Sequence, residues 1–193
     1  GVLADSTLSK QTVGSLTCVY APKAHGAWTL RRGCAATPLR ACTLFSSVAA
    51  LLGGAGQANY SAANTCLDAL ASSWHAHGAA GASVQWGAWA TVGMAARGAA
   101  SERMAAMEIA SGFGRIALAH GLAALQFGTG GGASPVMGLV PVVWSRFAGG
   151  GAALPAMLSD IAPRVARHAP SSAESEHVAR SISMEAVLEM ARC

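Results

Sequence analysis

A strand, a helix and a second strand are predicted in residues 39–86, LRACTLFSSVAALLGGAGQANYSAANTCLDALASSWHAHGAAGASVQW. Residues 39–45 have the length and side chains of a short strand. A glycine-rich loop at Gly53–Gly56 follows, and alanine and leucine then favour a helix from about Gln57 to Ala76. Ala82–Trp86 is a second short strand between two glycines. This unit predicts two parallel strands joined by a crossover helix.

Helical and strand patterns continue on both sides of this unit. Apolar residues recur at three- and four-residue intervals from Val13 to Leu30, which predicts a helix with one apolar face. Pro22 interrupts that pattern and is expected to kink the helix or to begin a new turn. Beyond a long loop over residues 87–100, two helices and a last strand are predicted at residues 101–110, 114–127 and 135–143. The alternation is typical of a parallel α/β sheet, and a polar tail with a weak helix at residues 184–191 follows it.

The composition argues against several classes of protein. Of the 193 residues, 52% are hydrophobic and only 11% are charged, which excludes an intrinsically disordered chain. The net charge of +4 is spread over scattered arginines and lysines, which argues against nucleic-acid binding. The longest apolar stretch, Met104 to Phe127, is broken by Glu108 and Arg115, so no membrane-spanning helix is expected. The five cysteines have no regular spacing and indicate free thiols in an intracellular, cytoplasmic protein.

Familiar binding and catalytic motifs are absent or misplaced. Gly128–Ala133 matches G-x-G-x-x-A, but it follows a predicted helix, whereas a dinucleotide-binding turn follows a strand and opens a helix. There is no Walker sequence, and Ser46 and Ser47 lie outside any G-x-S-x-G motif. His75 and His77 point in different directions at a helix end, so no metal site is expected.

One group of polar residues stands out near the carboxyl end of the first predicted strand. Ser47 lies just beyond that end, where open parallel sheets place their ligand crevices. Tyr60 and Asn64 are four residues apart in the predicted helix and share one face, and Lys23 lies upstream. Taken singly, these residues are better explained as a surface serine, a half-buried tyrosine and a helix asparagine.

Taken together, they resemble the ketoreductase domain of modular polyketide synthases, within the short-chain dehydrogenase/reductase superfamily. Ser47 precedes Tyr60 by thirteen residues and follows Lys23 by twenty-four, and the resemblance runs through about residues 1–147. The matching stretches are GVLAD at 1–5, APKAHGA at 21–27, FSSVA at 45–49, QANYSAAN at 57–64 and QWGAW at 85–89. The resemblance implies the C-terminal part of a Rossmann-like, doubly wound parallel sheet, with residues 1–148 in the reductase domain and residues 149–193 as a linker tail.

The resemblance also implies the reaction, which is NADPH-dependent reduction of the β-keto group of a thioester on the phosphopantetheine arm of an acyl carrier protein. Ser47 and Tyr60 would donate hydrogen bonds to the carbonyl oxygen, where negative charge develops, and Tyr60 would deliver the proton. A neighbouring ammonium favours ionisation of a phenol, which is a reason to expect Lys23 nearby. Most short-chain reductases carry Tyr-x-x-x-Lys. Asn64 takes the lysine position here, as in polyketide and animal fatty-acid synthase ketoreductases, and would hold a water in a proton relay.

Further site residues are assigned only through this resemblance. Contacts to the cofactor are expected from Lys23, Tyr60, Trp86 and Gly87, with a simple packing role equally open for Trp86. Contacts to the substrate, or control of its orientation, are expected from Asp5, Leu52, Asn59, Trp89 and Met94, the last in a mobile lid. Leu3-Ala4-Asp5 resembles the Leu-Asp-Asp motif of enzymes that form D-hydroxy products. Leu52 stands where L-forming enzymes carry tryptophan, so a D-configured product is expected.

The cofactor-binding half of the family would precede Gly1. The chain by itself is therefore expected to bind NADPH poorly and to belong to a larger, homodimeric multienzyme with other synthase domains in cis. One alternative is a stand-alone reductase of a small ketone, against which the Tyr-x-x-x-Asn pattern and the long tail count. The other is a non-catalytic scaffold, against which the intact set of Lys23, Ser47, Tyr60 and Asn64 counts.

Overall fold

The structure is a computed structural model that describes residues 1–37, 39–93, 112–129, 134–149 and 156–163. The helices predicted at residues 101–110 and 184–191 lie outside these ranges, as does Met94. The chain forms two compact units, which comprise Gly1–Trp86 with Ala119–Leu139, and Gly87–Leu118 with Val140–Cys193.

The first unit is built on a parallel sheet of three strands in the order β1–β2–β3. The strands are β1 (Thr43–Ser47), β2 (Ala82–Trp86) and β3 (Val136–Leu139). The position of β2 confirms its prediction, whereas β1 begins later and β3 ends earlier than predicted. The reason is pairing, since β1 starts at Thr43, opposite Ala82, and runs as far as Ser47, opposite Trp86.

The helices of the described ranges confirm most of the predicted pattern. They are α1 (Val13–Tyr20), α2 (Gly26–Gly33), α3 (Ala49–Leu52), α4 (Ala58–Ala76), α5 (Leu118–Thr129) and α6 (Trp144–Gly149), with 3-10 turns at Leu8–Lys10 and Ala156–Leu158. The predicted crossover helix is α4. The predicted start of α5 at Gly114 is wrong because Ile116 is held in extended pairing, with its N–H donating to Ala88 and its carbonyl accepting from Ala90.

A π-helical turn, Ala21–His25, joins α1 to α2 without a break. Pro22 has no N–H with which to continue the α-helical bonding, so the chain widens by one residue and the Gly26 N–H donates to the Ala21 carbonyl. The predicted interruption at Pro22 is confirmed, and it places Lys23 in the wide turn.

Helices cover both faces of the sheet in the first unit. Ser83 and Gln85 of β2 contact α4 on one face. Val84 points to the opposite face, where a Cβ added to Gly128 of α5 would lie 3.8 Å from Val84 and 3.5 Å from Met137. This arrangement is doubly wound, as predicted. The apolar residues buried in the core of this unit include Val19, Ala24, Ala27, Ala63, Leu67, Ala71, Trp74, Val84 and Met137.

The second unit is held by short backbone pairings and an aromatic cluster. Trp89 pairs with Ile116, and Phe113 pairs with Val142. The Phe147 ring lies 5.0 Å from that of Phe113, measured between centroids. Within the described ranges, no helix combines the length and the apolar character needed to cross a bilayer.

Candidate active site

Lys23 reaches from the π-helical turn to the carboxyl end of β1 and the first turns of α4. Its Nζ donates a hydrogen bond of 3.0 Å to the Phe45 carbonyl. The same Nζ lies 5.4 Å from the centre of the Tyr60 ring. Burial lowers the pKa of Lys23, and the Asp68 carboxylate acts in the opposite direction. The structure therefore places a partly desolvated ammonium near the ring of Tyr60.

Asn64 lies under Tyr60 on the face of α4 that meets the sheet. Asn64 is 0% exposed, and its Nδ2 donates to the Tyr60 backbone carbonyl at 2.7 Å. The backbone carbonyl of Asn64 accepts from Ser46 Oγ at 3.3 Å. Oδ1 of Asn64 is buried and has no hydrogen-bond partner within the part of the chain that the structure describes. A buried amide oxygen without a partner is costly, so this atom calls for a donor such as an ordered water.

Ser47 is the last residue of β1 and stands beside Trp86 in the ladder. Its Oγ accepts the Ala49 N–H at 3.2 Å, at the start of α3. A hydroxyl that accepts this bond keeps its own proton for donation. The sheet thus presents a serine hydroxyl at the carboxyl end of β1, two residues beyond Phe45, whose carbonyl accepts from Lys23.

The segment around Asp5 is tied to the beginning of α4. Asn59 is buried, and its Nδ2 donates to the Ala4 carbonyl at 2.8 Å while its Oδ1 accepts the Tyr60 N–H at 2.7 Å. Gln57 Nε2 donates to the Asp5 carboxylate at 3.3 Å. The structure therefore brings the Asp5 segment to the start of α4, where Asn59 precedes Tyr60, and both polar ends of the Asn59 amide hold backbone groups.

The remaining predicted site residues are placed less closely. Trp86 is 6% exposed, and its ring lies 5.4 Å from that of Phe45, which favours the packing role left open for it. Leu52 is half-buried at the end of α3. Gly87 and Trp89 belong to the second unit, and Met94 lies outside the described residues.

Asp68 is not among the residues predicted for the site. This aspartate lies one turn beyond Asn64 on α4 and is 8% exposed, with both carboxylate oxygens accepting hydrogen bonds from β2. The sequence feature that could have revealed it is the spacing 60, 64, 68, which puts three polar residues on one helix face in a chain with few acidic groups. Ser46 is likewise not among the predicted site residues, although its hydroxyl donates from β1 to the Asn64 backbone carbonyl.

Comparison with known proteins fits this geometry. Residues 1–91 match the family model of the KR domain. A solved A-type ketoreductase from a modular polyketide synthase superposes with a TM-score of 0.69 at 33% identity, covering 77% of this chain and 30% of that one. The chain belongs to the ketoreductase domains of modular polyketide synthases. The first ketoreductase of the tylosin synthase superposes on this ketoreductase chain with a TM-score of 0.66 at 36% identity, covering 77% of it and 32% of the solved chain.

Curated relatives of this ketoreductase chain are far longer than the chain itself. Polyketide synthase GfsA of Streptomyces halstedii is 40% identical over 165 residues, which are 83% of this chain and 2% of that protein. The phthioceranic/hydroxyphthioceranic acid synthase of Mycobacterium tuberculosis is 46% identical over 92 residues, which are 48% of this chain and 4% of that protein. The predicted family and the Rossmann-like α/β fold are confirmed.

Proposed function

We propose that this chain provides the catalytic residues of an NADPH-dependent ketoreductase. The reaction reduces the β-keto group of an acyl thioester on a carrier protein to the D-hydroxyacyl thioester. The observation that carries the proposal is the meeting of Lys23 with Tyr60 and the end of β1, where Ser47 lies. This is the edge of an open parallel sheet at which ligands bind.

Ser47 and Tyr60 are the donors to the substrate carbonyl. As the carbonyl carbon is reduced, its oxygen gains negative charge, and two hydroxyl donors aimed at that oxygen stabilise the transition state. The phenol of Tyr60 is also the proton source, which converts the oxygen to the alcohol. Since the Ser47 hydroxyl accepts the Ala49 N–H, its orientation is fixed before the substrate arrives.

Lys23 and Asn64 support the phenol. The Lys23 ammonium stands 5.4 Å from the Tyr60 ring, where its charge favours the ionised phenol that remains after proton transfer. Asn64 offers to a water its Oδ1, which has no partner among the described residues, and that water can return a proton toward the site. The alternative for Asn64 is a helix asparagine satisfied by backbone alone, and the lack of a partner for Oδ1 within the described ranges counts against it.

The donor set near Tyr60 fits one end of a nicotinamide cofactor. Lys23 uses one N–H on the Phe45 carbonyl and has two more, which together with the Tyr60 hydroxyl suit the hydroxyl groups of a ribose. NADPH supplies the hydride when it is bound. Trp86 and Gly87, at and after the end of β2, are the further proposed cofactor contacts, and Trp86 contributes at least packing.

The predicted stereochemistry rests on residues rather than on the fold. The solved structures that match include A-type and C2-type ketoreductases with TM-scores of 0.69 and 0.64, so similarity of fold does not select one type. The Asp5 segment is fastened to the start of α4 through Asn59, directly beside Tyr60. We infer that this segment orients the substrate arm. Because Leu52 stands where L-forming enzymes carry tryptophan, position 52 has no tryptophan to direct the substrate into the orientation that gives the L-alcohol. Trp89 and Met94 are the proposed substrate contacts of the loop that follows β2.

The length of the relatives supports a multienzyme context. They are polyketide synthases in which a match to this chain occupies 2% to 4% of the protein. We propose that residues 1–148 work within a ketoreductase domain, that residues 149–193 form a linker, and that the other synthase domains and the carrier protein act in cis in a homodimeric, cytoplasmic protein.

Substitution of Tyr60 by phenylalanine tests the proposal in the full-length protein that carries this sequence. We expect the rate of NADPH oxidation with a β-ketoacyl thioester to fall by about 100-fold or more. Tyr20→Phe is the matched control, because Tyr20 is the only other tyrosine and its hydroxyl contacts Cys66 Sγ at 3.1 Å instead of the site. Chiral analysis of the product is expected to give the D-alcohol.

Three outcomes would contradict parts of the proposal. Unchanged turnover in Tyr60→Phe would favour the scaffold alternative. Faster reduction of a small free ketone than of the thioester would favour a stand-alone reductase. An L-alcohol would overturn the assignment of Asp5 and Leu52 while leaving the catalytic roles intact.

A further inference from the structure

We propose that Asp68 is a positioning residue of this site, whose carboxylate fixes α4 on β2 and thereby sets where Tyr60 and Asn64 stand relative to β1. The inference rests on the proposed function. Asp68 lies eight residues beyond Tyr60 on α4, about 12 Å along the helix axis, so it acts through other residues rather than on the substrate.

The carboxylate of Asp68 is held at both oxygens. Ser83 Oγ donates to Oδ1 at 2.6 Å, and Gln85 Nε2 donates to Oδ2 at 2.8 Å. Ser83 and Gln85 are alternate residues of β2 and therefore share one face of the sheet. A single hydrogen bond would let the helix pivot about it, whereas two donors spaced along the strand resist both sliding and rolling of α4.

This clamp lies next to the contact that holds Asn64. In the ladder, Gln85 stands opposite Ser46, and Ser46 Oγ donates to the Asn64 carbonyl at 3.3 Å. Asp68, Asn64 and Tyr60 follow one another at four-residue intervals on one face of α4. Polar contacts from the neighbouring strands β1 and β2 thus fix the position of α4 on the sheet. These strands end at Ser47 and Trp86, which stand opposite each other in the ladder.

The burial of these groups indicates that the clamp is more than packing. Ser83 is 0% exposed and Asp68 is 8% exposed. Apolar side chains of similar size would satisfy the core at this point without the cost of burying a carboxylate. Directional polar groups, in contrast, specify a single arrangement of helix and strand. Ordinary core packing does not require a polar group here, whereas accurate placement of Tyr60 is served by the two directional hydrogen bonds of Asp68.

Asp68 also acts on Lys23 through its charge. Burial lowers the pKa of Lys23, and Asp68 opposes that effect. The groups that face Lys23 from the elements around it are Asp68 and Tyr60 of α4, while β1 offers the Phe45 carbonyl. Removal of the carboxylate therefore lowers the pKa of Lys23 further, and the ammonium is lost at a lower pH.

Two substitutions in the full-length protein separate position from charge. Asp68→Ala removes both bonds and the charge, and we expect kcat to fall by about 10- to 100-fold with little change in KM. Asp68→Asn keeps the shape, and its amide bonds both partners once the Gln85 amide turns over. For Asp68→Asn we expect most of kcat at neutral pH to return, with the alkaline limb of the pH profile moved to lower pH.

Thr65→Ala is the matched control, because Thr65 is exposed on the same helix and its hydroxyl donates to the Ser61 carbonyl, away from β2. Ser83→Ala and Gln85→Ala each remove one bond of the clamp without touching Asp68. They are expected to lower kcat by less than Asp68→Ala. If Asp68→Ala does not fold, a lowered kcat in these two variants supports the positioning role of Asp68, and an unchanged kcat in both contradicts it.

Normal kcat and a normal alkaline limb in both Asp68 variants, with activity lost in Tyr60→Phe, would overturn this inference alone. A loss of folded protein with wild-type kcat for each folded molecule would overturn it as well. Wild-type turnover in Tyr60→Phe would instead remove the proposed function on which it rests.

Discussion

The partial burial of Lys23 has a cost in stability. Burial disfavours its charged form, so its pKa in the folded chain is lower than that of an exposed lysine. As pH rises through this lowered pKa, the folded chain binds fewer protons than the unfolded chain, and the free energy of unfolding increases. The folded state therefore bears a cost at neutral pH for keeping the ammonium beside Tyr60.

Substitution of Lys23 by methionine tests this trade of stability for activity. Methionine keeps the length of the side chain and removes the buried charge, so we expect turnover to fall by about 100-fold or more while the Tm stays equal or rises. Lys10→Met is the control, because Lys10 is exposed and is the only other lysine. Thermal unfolding and thioester turnover are measured on the same samples. A clear fall in Tm, or retained turnover, would contradict the prediction.

The residues of the site differ in how far a sequence can reveal them. Lys23, Ser47, Tyr60 and Asn64 are found because their spacing is that of a known family. A role for Asp68 can be inferred only when it is known which residues of β2 face α4, because its partners Ser83 and Gln85 are those residues. Composition places β2 correctly but does not state which face of the strand is covered by which helix.

At the scale of elements, composition predicts the kind of element and pairing decides its limits. Residues 39–45 have strand character, yet β1 runs from Thr43 to Ser47 because those residues stand opposite β2. Pro22 predicts an interruption in a helix, and the missing N–H explains why it appears as a π-helical turn that carries Lys23. Both differences arise from bonds between backbone groups, which side-chain patterns report only indirectly.

Gly112 is an element-scale constraint in the second unit. It has a φ of +74°, and a Cβ added there would lie 2.7 Å from the Phe147 N and 3.0 Å from the Val143 carbonyl oxygen, at α6. We expect Gly112→Ala to cost about 1–3 kcal/mol from crowding, in addition to the strain of the left-handed backbone. Faster hydrogen exchange across residues 144–149 is the measurement.

Gly93 provides the matched control for this substitution. It has a φ of +85°, but none of the described residues has an atom within 4 Å of an added Cβ. Gly93→Ala is therefore expected to cost only the backbone term, about 1–2 kcal/mol. Equal exchange in the two variants would show that the close approach of Gly112 to α6 adds nothing.

At the scale of the whole molecule, the chain is a small part of what it resembles. It covers 30% and 32% of the two solved ketoreductase chains described above. Phe45 is 52% exposed on β1, which pairs with β2 on one side within the described ranges. The family could be predicted from local motifs because the proposed catalytic residues are close in sequence, whereas an exposed strand edge is a property of three-dimensional packing.

Cofactor binding is the property that depends most on the rest of the protein. Phosphates of a dinucleotide are bound by a glycine-rich turn between a strand and the N-terminus of a helix. The glycine-rich stretch Gly128–Ala133 has the opposite order here, because α5 ends at Thr129 and β3 begins at Val136. Lys23 and Tyr60 offer donors for a ribose, but no G-x-G-x-x-G turn for the pyrophosphate lies between a strand and a helix of the described residues, since the Gly53–Gly56 loop before α4 lacks that spacing.

We therefore expect the 193-residue chain alone to bind NADPH at least roughly tenfold more weakly than the full-length protein, a difference of about 1.4 kcal/mol. Fluorescence enhancement of NADPH on titration with each protein measures this, and far-UV circular dichroism verifies that the short chain is folded. Equal affinity would mean that pyrophosphate is held by residues of this chain in a way that its glycine pattern does not indicate. Weak binding in both proteins would instead count against NADPH as the cofactor, because the ribose donors at Lys23 and Tyr60 are common to the two.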